Sequence, residues 1–188
     1  MRIVAGTFRG RPLVAPKGHI TRPTADRARQ AIFNVLEHAA WSPGFQDLRV
    51  IDLFAGSGAL GIEALSRGAG FCLFLDRAEA ARAAIRTNLG ALGLESRARI
   101  DRRDAAALAA RTAAVGPPFD LALLDPPYGE GLGEAALAQL ASGGWLAVGA
   151  IAVLERGVAD PATEPPGFDR VDERRWGAAR VSFLRRSA

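Results

Sequence analysis

Apolar residues fall in short continuous runs separated by stretches with helical spacing, and the two alternate along most of the chain. Val50-Ile51-Asp52-Leu53-Phe54, Phe71-Cys72-Leu73-Phe74-Leu75 and Phe119-Asp120-Leu121-Ala122-Leu123-Leu124 are too short for helices and too apolar for one-sided strands. They read as strands of a parallel sheet buried on both faces. Further strands are expected at 98–101 and 150–154. Between them, Ile62-Glu63-Ala64-Leu65 opens a helical pattern, residues 77–92 place Ala80, Ala81, Ala84, Ile85 and Leu89 inside, and residues 132–140 read as a helix. Another Ala-rich helix is expected after Asp104-Ala105. Ahead of the first strand, Ile32, Phe33, Leu36 and Ala39 predict a helix over 25–39, with Thr24 as its cap and Asp26 in its first turn. Residues 1–4 and 11–15 look like short strands around a turn. At the other end, 168–175 and 179–185 alternate around Gly177, as an antiparallel pair at the sheet edge does. Strands alternating with helices predict an α/β, Rossmann-like sheet with a parallel core and an antiparallel carboxyl-terminal hairpin. The expected division is a basic hairpin and helix extension over 1–40, followed by the main domain over 41–188.

The first strand empties into Gly56-Ser57-Gly58 before a helix start, where glycines permit close approach and free N–H groups face the crevice. Asp76 ends the next apolar run, twenty residues after Gly56, where an acid can accept both hydroxyls of a ribose. The pattern admits a nicotinamide dinucleotide or S-adenosylmethionine (SAM). Asp52, just before the loop, would repel a pyrophosphate and suits the ammonium of a methionine tail. Asp104, at the mouth of the third strand, can accept from an adenine amino group or simply cap the next helix.

Composition narrows the field. The 188 residues are 49% hydrophobic and 23% charged, enough for one globular core. No apolar run approaches the roughly 20 residues of a membrane span and no signal-peptide core opens the chain, so a cytoplasmic protein is expected. Cys72 is the single cysteine and sits within a strand pattern, and His19 and His38 form no cluster with it, so no metal site is expected. Residues 1–30 hold seven basic side chains, Arg2, Arg9, Arg11, Lys17, Arg22, Arg27 and Arg29, against the single acid Asp26, a local charge of +6. The other 158 residues hold 17 basic and 19 acidic side chains, a charge of −2. Positive charge concentrated in one arm is the distribution expected of a surface that neutralises phosphates.

Asp125-Pro126-Pro127-Tyr128 follows the fourth strand, across the expected switch point from the glycine loop. Two prolines remove N–H donors, so this turn presents acceptors, the Asp125 carboxylate and the Pro126 carbonyl. Tyr128, the single tyrosine, offers a flat face to a base taken out of its stack. Two acceptors gripping the N–H bonds of a nucleobase amine would aim its lone pair at an electrophilic methyl group, a reaction that needs positioning more than a strong base.

The tetrapeptide resembles the (D/N/S)PP(Y/F/W) signature of amino-group methyltransferases, and Asp52-Leu53-Phe54-Ala55-Gly56-Ser57-Gly58 is similar to their SAM motif. Met1-Arg2-Ile3-Val4-Ala5-Gly6, Gly10-Arg11-Pro12-Leu13, Arg22-Pro23-Thr24-Ala25-Asp26-Arg27-Ala28-Arg29 and Phe33-Asn34 resemble the RsmD family, over residues 1 to about 155. That resemblance implies a SAM-dependent enzyme that methylates guanine N2 in small-subunit (16S) ribosomal RNA; a monomer is expected. It implies that Gly56 and Gly58 line the methionine portion, that Asp76 holds the ribose, and that Asp104 and Ala105 meet the adenine. Asp52, Phe54, Ala55 and Arg77 complete the implied cofactor set, and Asp125, Pro126, Pro127 and Tyr128 hold the base. Gln30 departs from the family, which often carries Glu there. Three other readings stay open: a DNA adenine-N6 methyltransferase, an NAD-dependent oxidoreductase, and a non-catalytic RNA-binding protein.

Overall fold

The computed structural model describes residues 1–16, 23–161 and 165–188, and side chains within these except those of 23–26. The expected contacts of Lys17 and Arg22, and the side chain of the expected cap Thr24, lie outside the described residues.

Seven strands form one sheet: β1 (Arg49–Leu53), β2 (Phe71–Leu75), β3 (Ala98–Asp101), β4 (Phe119–Leu124), β5 (Leu146–Gly157), β6 (Phe168–Trp176) and β7 (Ala179–Arg186). Their order is β3-β2-β1-β4-β5-β7-β6. The first five are parallel and the last pair antiparallel, as the patterning predicted. Successive residues of a strand face opposite sides, so the continuous apolar runs feed two cores. Val50, Cys72, Phe74, Leu121 and Leu123 face one core, and Ile51, Leu53, Leu73, Ala122 and Leu124 face the other. Burial pushes the Cys72 thiol up, in keeping with a small core side chain rather than a nucleophile.

The first face is covered by α1 (Pro23–His38), α2 (Ala59–Ser66) and α3 (Glu79–Leu92), the second by α4 (Leu132–Ser142). The helix expected after Asp104 is not formed. Two short 3-10 turns, Ala105–Ala107 and Ala113–Val115, take its place. Across residues 105–115 only Ala105, Leu108 and Val115 are buried, which is too sparse for a helical stripe. Cross-links hold the segment open instead: the buried Trp145 Nε1 donates to Ala109 O at 2.9 Å, and Arg111 Nε donates to Gly144 O at 2.7 Å. Strand β5 extends well beyond the expected 150–154, with a register shift opposite β4 between Phe119 and Leu121.

The amino-terminal residues pair as anticipated but form only a bridge, Arg2 with Pro12, rather than two strands. Backbone bonds link the two arms, Ile3 N to Arg11 O at 3.0 Å, Gly10 N to Ile3 O at 2.8 Å and Leu13 N to Met1 O at 3.1 Å, and further bonds tie them to the helices. Glu63, fully buried on α2, accepts from Val4 N at 2.8 Å and Ala5 N at 3.0 Å, while Asn88 of α3 accepts from Val14 N at 2.8 Å. Ile3, Leu13, Ile32, Phe33 and Leu36 belong to the same core cluster as β1 and α2, so residues 1–16 and α1 have no separate core.

Candidate active site

Strand β2 lies on one side of β1 and β4 on the other, so the strand order reverses between the parallel β1 and β4, and a crevice opens outside their carboxyl ends. The loops leaving both strands meet there. A cavity of about 650 Å³ has Phe54, Gly56, Asp76 and Ala105 on one wall and Asp125, Pro126 and Pro127 on the other. A smaller one of about 190 Å³ runs beneath α1 between Asp52, Gly56, Arg29, Asp125 and Glu155.

On the β1 side the turn is tight: Gly58 N donates to Ala55 O at 2.6 Å and Ala55 N to Leu75 O at 3.1 Å. Phe54 takes φ 60°, the left-handed region that a bulky side chain seldom occupies, and lines both cavities. A strained residue held at the mouth of a crevice is typical of functional loops, and costs on the order of 1 kcal/mol. Asp76 braces the turn with both oxygens, accepting from Gly56 N at 2.9 Å and Ala78 N at 2.8 Å, while still walling the cavity. Asp52 lies on the α2 face of the sheet, 1% exposed, and accepts from Gly61 N at 2.9 Å in the first turn of that helix. Burial raises its pKa well above the ordinary range, and the nearby Asp125 and Asp76 raise it further.

Two members of the expected cofactor set stand apart from this wall. Gly58, with φ +77°, starts α2, and a Cβ there would lie 3.1 Å from Ile85 Cγ1 and 3.2 Å from Phe74 Cε1. Its missing side chain answers to the core, so it supports the turn from behind rather than lining the ligand cavity. Asp104 caps the 3-10 turn through Ala106 N at 3.0 Å and pairs with Arg77 at 3.2 Å on the rim, an exposed pair worth little by itself. Ala105 and Arg77 line the cavity directly.

On the β4 side, burial and then the neighbouring Glu155 push the Asp125 carboxyl up to about 7. The residue nevertheless stays open to the crevice, so water screens the shift until ligands displace it. Tyr128 is 45% exposed and its hydroxyl donates to Glu155 Oε1 at 2.5 Å. Burial and that carboxylate together raise the phenol. A further cavity of about 400 Å³ opens beside the Tyr128 ring, between Pro127, Leu132, Glu155 and Asp160.

The chain is similar to several known proteins. The family model described as Conserved hypothetical protein 95 matches residues 1–185. YlbH of Bacillus subtilis is 43% identical over 130 residues, 69% of this chain and 68% of its own length. Ribosomal RNA small subunit methyltransferase D of Escherichia coli is 37% identical over 155 residues, covering 82% of this chain and 74% of the relative. The chain belongs to the RsmD family. The solved structure of the Escherichia coli protein yhhF superposes with a TM-score of 0.81 at 32% identity, covering 100% of this chain and 98% of that one.

In this RsmD-family chain the predicted arginines divide. Arg2, Arg9, Arg11 and Arg27 are exposed on the hairpin and α1. Arg29 is not: it is 4% exposed, donates to Arg2 O at 2.5 Å and lies 3.9 Å from Glu63. It faces inward from α1, so its expected contact with RNA is corrected to an internal one, beside the smaller cavity. Gln30 is exposed. Two residues went unforeseen, Glu155 and Glu63. Glu155 had a readable signal, because it ends the apolar run of β5 just as Asp76 follows β2 and Asp125 follows β4. Glu63 had none, since its partners Val4 and Ala5 lie 59 and 58 residues away.

Proposed function

We propose that this chain transfers a methyl group from SAM to the exocyclic N2 amine of a guanine in small-subunit ribosomal RNA. The observation that carries the reading is the shared crevice, in which the glycine turn after β1 and Asp125, Pro126 and Pro127 after β4 form opposite walls. Its electrostatics favour a cationic ligand over a pyrophosphate. Asp52, Asp76 and Asp125 gather their carboxyl groups around the turn, and Asp52 is raised by burial first and then by the charges of Asp125 and Asp76. SAM carries a sulfonium and an ammonium, and supplies an electrophilic methyl group when bound. Asp76 would hold the ribose, Asp52 the ammonium through its second oxygen, and Ala105 the adenine edge. Exposed Arg2, Arg9, Arg11 and Arg27 would meet RNA phosphates.

For the acceptor, the Asp125 carboxylate and the Pro126 carbonyl take hydrogen bonds from the amine and turn its lone pair toward the cofactor side. The amine becomes acidic as the new bond forms, and Asp125, with a pKa near 7, is matched to receive the proton. Asp125 acts as the ionised acceptor, so protonation disables it. The single-turnover rate is therefore expected to rise with pH through about 7 and then level off, falling toward tenfold per unit on the acid side. A rate flat between pH 5.5 and 8 would remove Asp125 from this role.

Asp52 makes a different prediction. Its folded pKa lies above the unfolded value, so the native state holds a proton that the unfolded chain has released. Its contribution to stability is full below about pH 4 and is lost as pH rises toward the folded value. Asp52→Asn can keep the Gly61 bond through its amide oxygen, and is expected to hold Tm at pH 8 at or above wild type. Affinity for the demethylated product SAH should drop about tenfold, the loss of one charge-assisted hydrogen bond. Calorimetry of both properties checks it; a collapse in Tm with unchanged SAH binding would contradict it.

The test of the function itself is an assay with methyl-labelled SAM, offering small-subunit rRNA and DNA separately, followed by nucleoside analysis. N2-methylguanosine in the RNA is expected. Label found as N6-methyladenine in DNA, or in no nucleoside, would refute the proposal.

A further inference from the structure

Glu155 accepts the Tyr128 hydroxyl and raises the Asp125 carboxyl. In the sheet, Leu124 of β4 and Leu154 of β5 are register partners. The next residues along those parallel strands, Asp125 and Glu155, therefore emerge side by side at the carboxyl ends, neighbouring strands being about 4.8 Å apart. Both line the cavity beneath α1, and Glu155 also lines the cavity beside the Tyr128 ring. Two acceptor-only groups are thus juxtaposed where a flipped base would enter. Tyr128 occupies one acceptor position of Glu155, and an ionised carboxylate has about four.

Paired acceptors need paired donors. The Watson–Crick edge of guanine carries an N1–H donor next to the N2 amine, whereas the corresponding edge of adenine sets a lone pair at N1 beside its N6 amine. A base whose ring nitrogen turns a lone pair toward Glu155 displaces water and leaves two acceptors facing each other, an arrangement that is rejected more strongly than a missing contact.

We propose that Glu155 selects guanine: its carboxylate accepts the N1–H of the flipped base while Asp125 and the Pro126 carbonyl hold the adjacent N2 amine. The inference rests on the function proposed above and adds the group that tells one purine from the other. Tyr128 holds the carboxylate in place through its hydroxyl.

The test exchanges the N1 donor without touching the reacting amine. Small-subunit rRNA is prepared with either guanine or 2,6-diaminopurine at the position methylated by wild type; the second base keeps the N2 amine, replaces N1–H by a lone pair and turns the 6-oxo group into an amine, so the change of the ratio in E155Q is what reports the N1 contact. Wild type is expected to favour guanine by about 10²-fold in kcat/KM, the size of a charge-assisted hydrogen bond and its repulsive counterpart. E155Q, whose amide can donate to that lone pair, is expected to bring the ratio to within a few fold of one, chiefly by gaining on 2,6-diaminopurine. Tyr128→Phe removes the supporting bond but leaves the carboxylate, and should keep most of the discrimination even if its rate is lower. SAH titration and Tm show that each variant is folded. The proposal is overturned if E155Q lowers both substrates equally with the ratio unchanged, or if Tyr128→Phe erases the ratio as fully as E155Q does. Wild type that yields no N2-methylguanosine on natural RNA overturns the function and this inference together, whereas wild type that yields it and accepts both bases equally overturns this inference alone.

Discussion

Asp125→Ala is expected to lower kcat for methyl transfer by about 10²–10³-fold, the cost of removing one preorganised polar group from the reacting atoms. SAH affinity should change by no more than a few fold. The separation follows from position. Asp125 stands on the β4 wall of the crevice, while the turn that would grip the cofactor is braced by Asp76 and Asp52 from the β1 side. Asp125 is open to the crevice, so water screens much of the repulsion from Glu155 that helps lift its carboxyl to about 7. Removing it costs the fold little, and Tm should hold, the usual sign of a residue retained for chemistry. Single-turnover rates, SAH titration and thermal melts on one preparation check the three parts. Loss of SAH binding in proportion to rate would assign Asp125 to the cofactor instead.

Glu63→Ala is expected to be the most destabilising single change, at about 3–5 kcal/mol, because it removes one partner from a buried ionic cluster. The Glu63 carboxylate receives two hairpin N–H groups and Arg67 Nε at 2.9 Å, with the Arg29 Nε at 3.9 Å. Arg67 and Glu63 are both almost fully buried, so solvent screening does not discount the pair. In a chain of 188 residues that cost corresponds to a Tm lower by roughly 10 °C or more. The loss should be anisotropic. Amides of Val4, Ala5 and Phe8 are expected to exchange with solvent far faster, while those of β1 and β4 keep their relative protection. A Tm within a degree or two of wild type, with the hairpin amides still protected, would contradict this account of how the basic hairpin is held.

The parallel core could be read from the chain because its strands are buried on both faces, which turns each into an unbroken apolar run; β1, β2 and β4 lie within a residue or two of those runs. The acids just beyond β2 and β4 were equally legible, since a carboxylate closing such a run has no place in the core. The segment after Asp104 misled for the opposite reason. Alanine favours helix wherever it stands, but here Trp145 and Arg111 draw the backbone into bonds with a distant turn, and these outweigh local propensity. Arg29 misled because charge counting is blind to direction: spacing places it in the helix, and only the docked hairpin shows that it faces inward. Gly58 read as a ligand-facing glycine, although it is the packing of Ile85 and Phe74 that excludes a side chain there.

A crystal structure of the chain with SAH tests the central claim most directly. The account predicts the adenosine against Asp76 and Ala105, the amino-acid tail over the Gly56 turn, and the sulfur atom turned toward Asp125 with room for a planar base between Pro126 and Tyr128. SAH bound with its sulfur walled off from Asp125, or seated away from the crevice between β1 and β4, would contradict it.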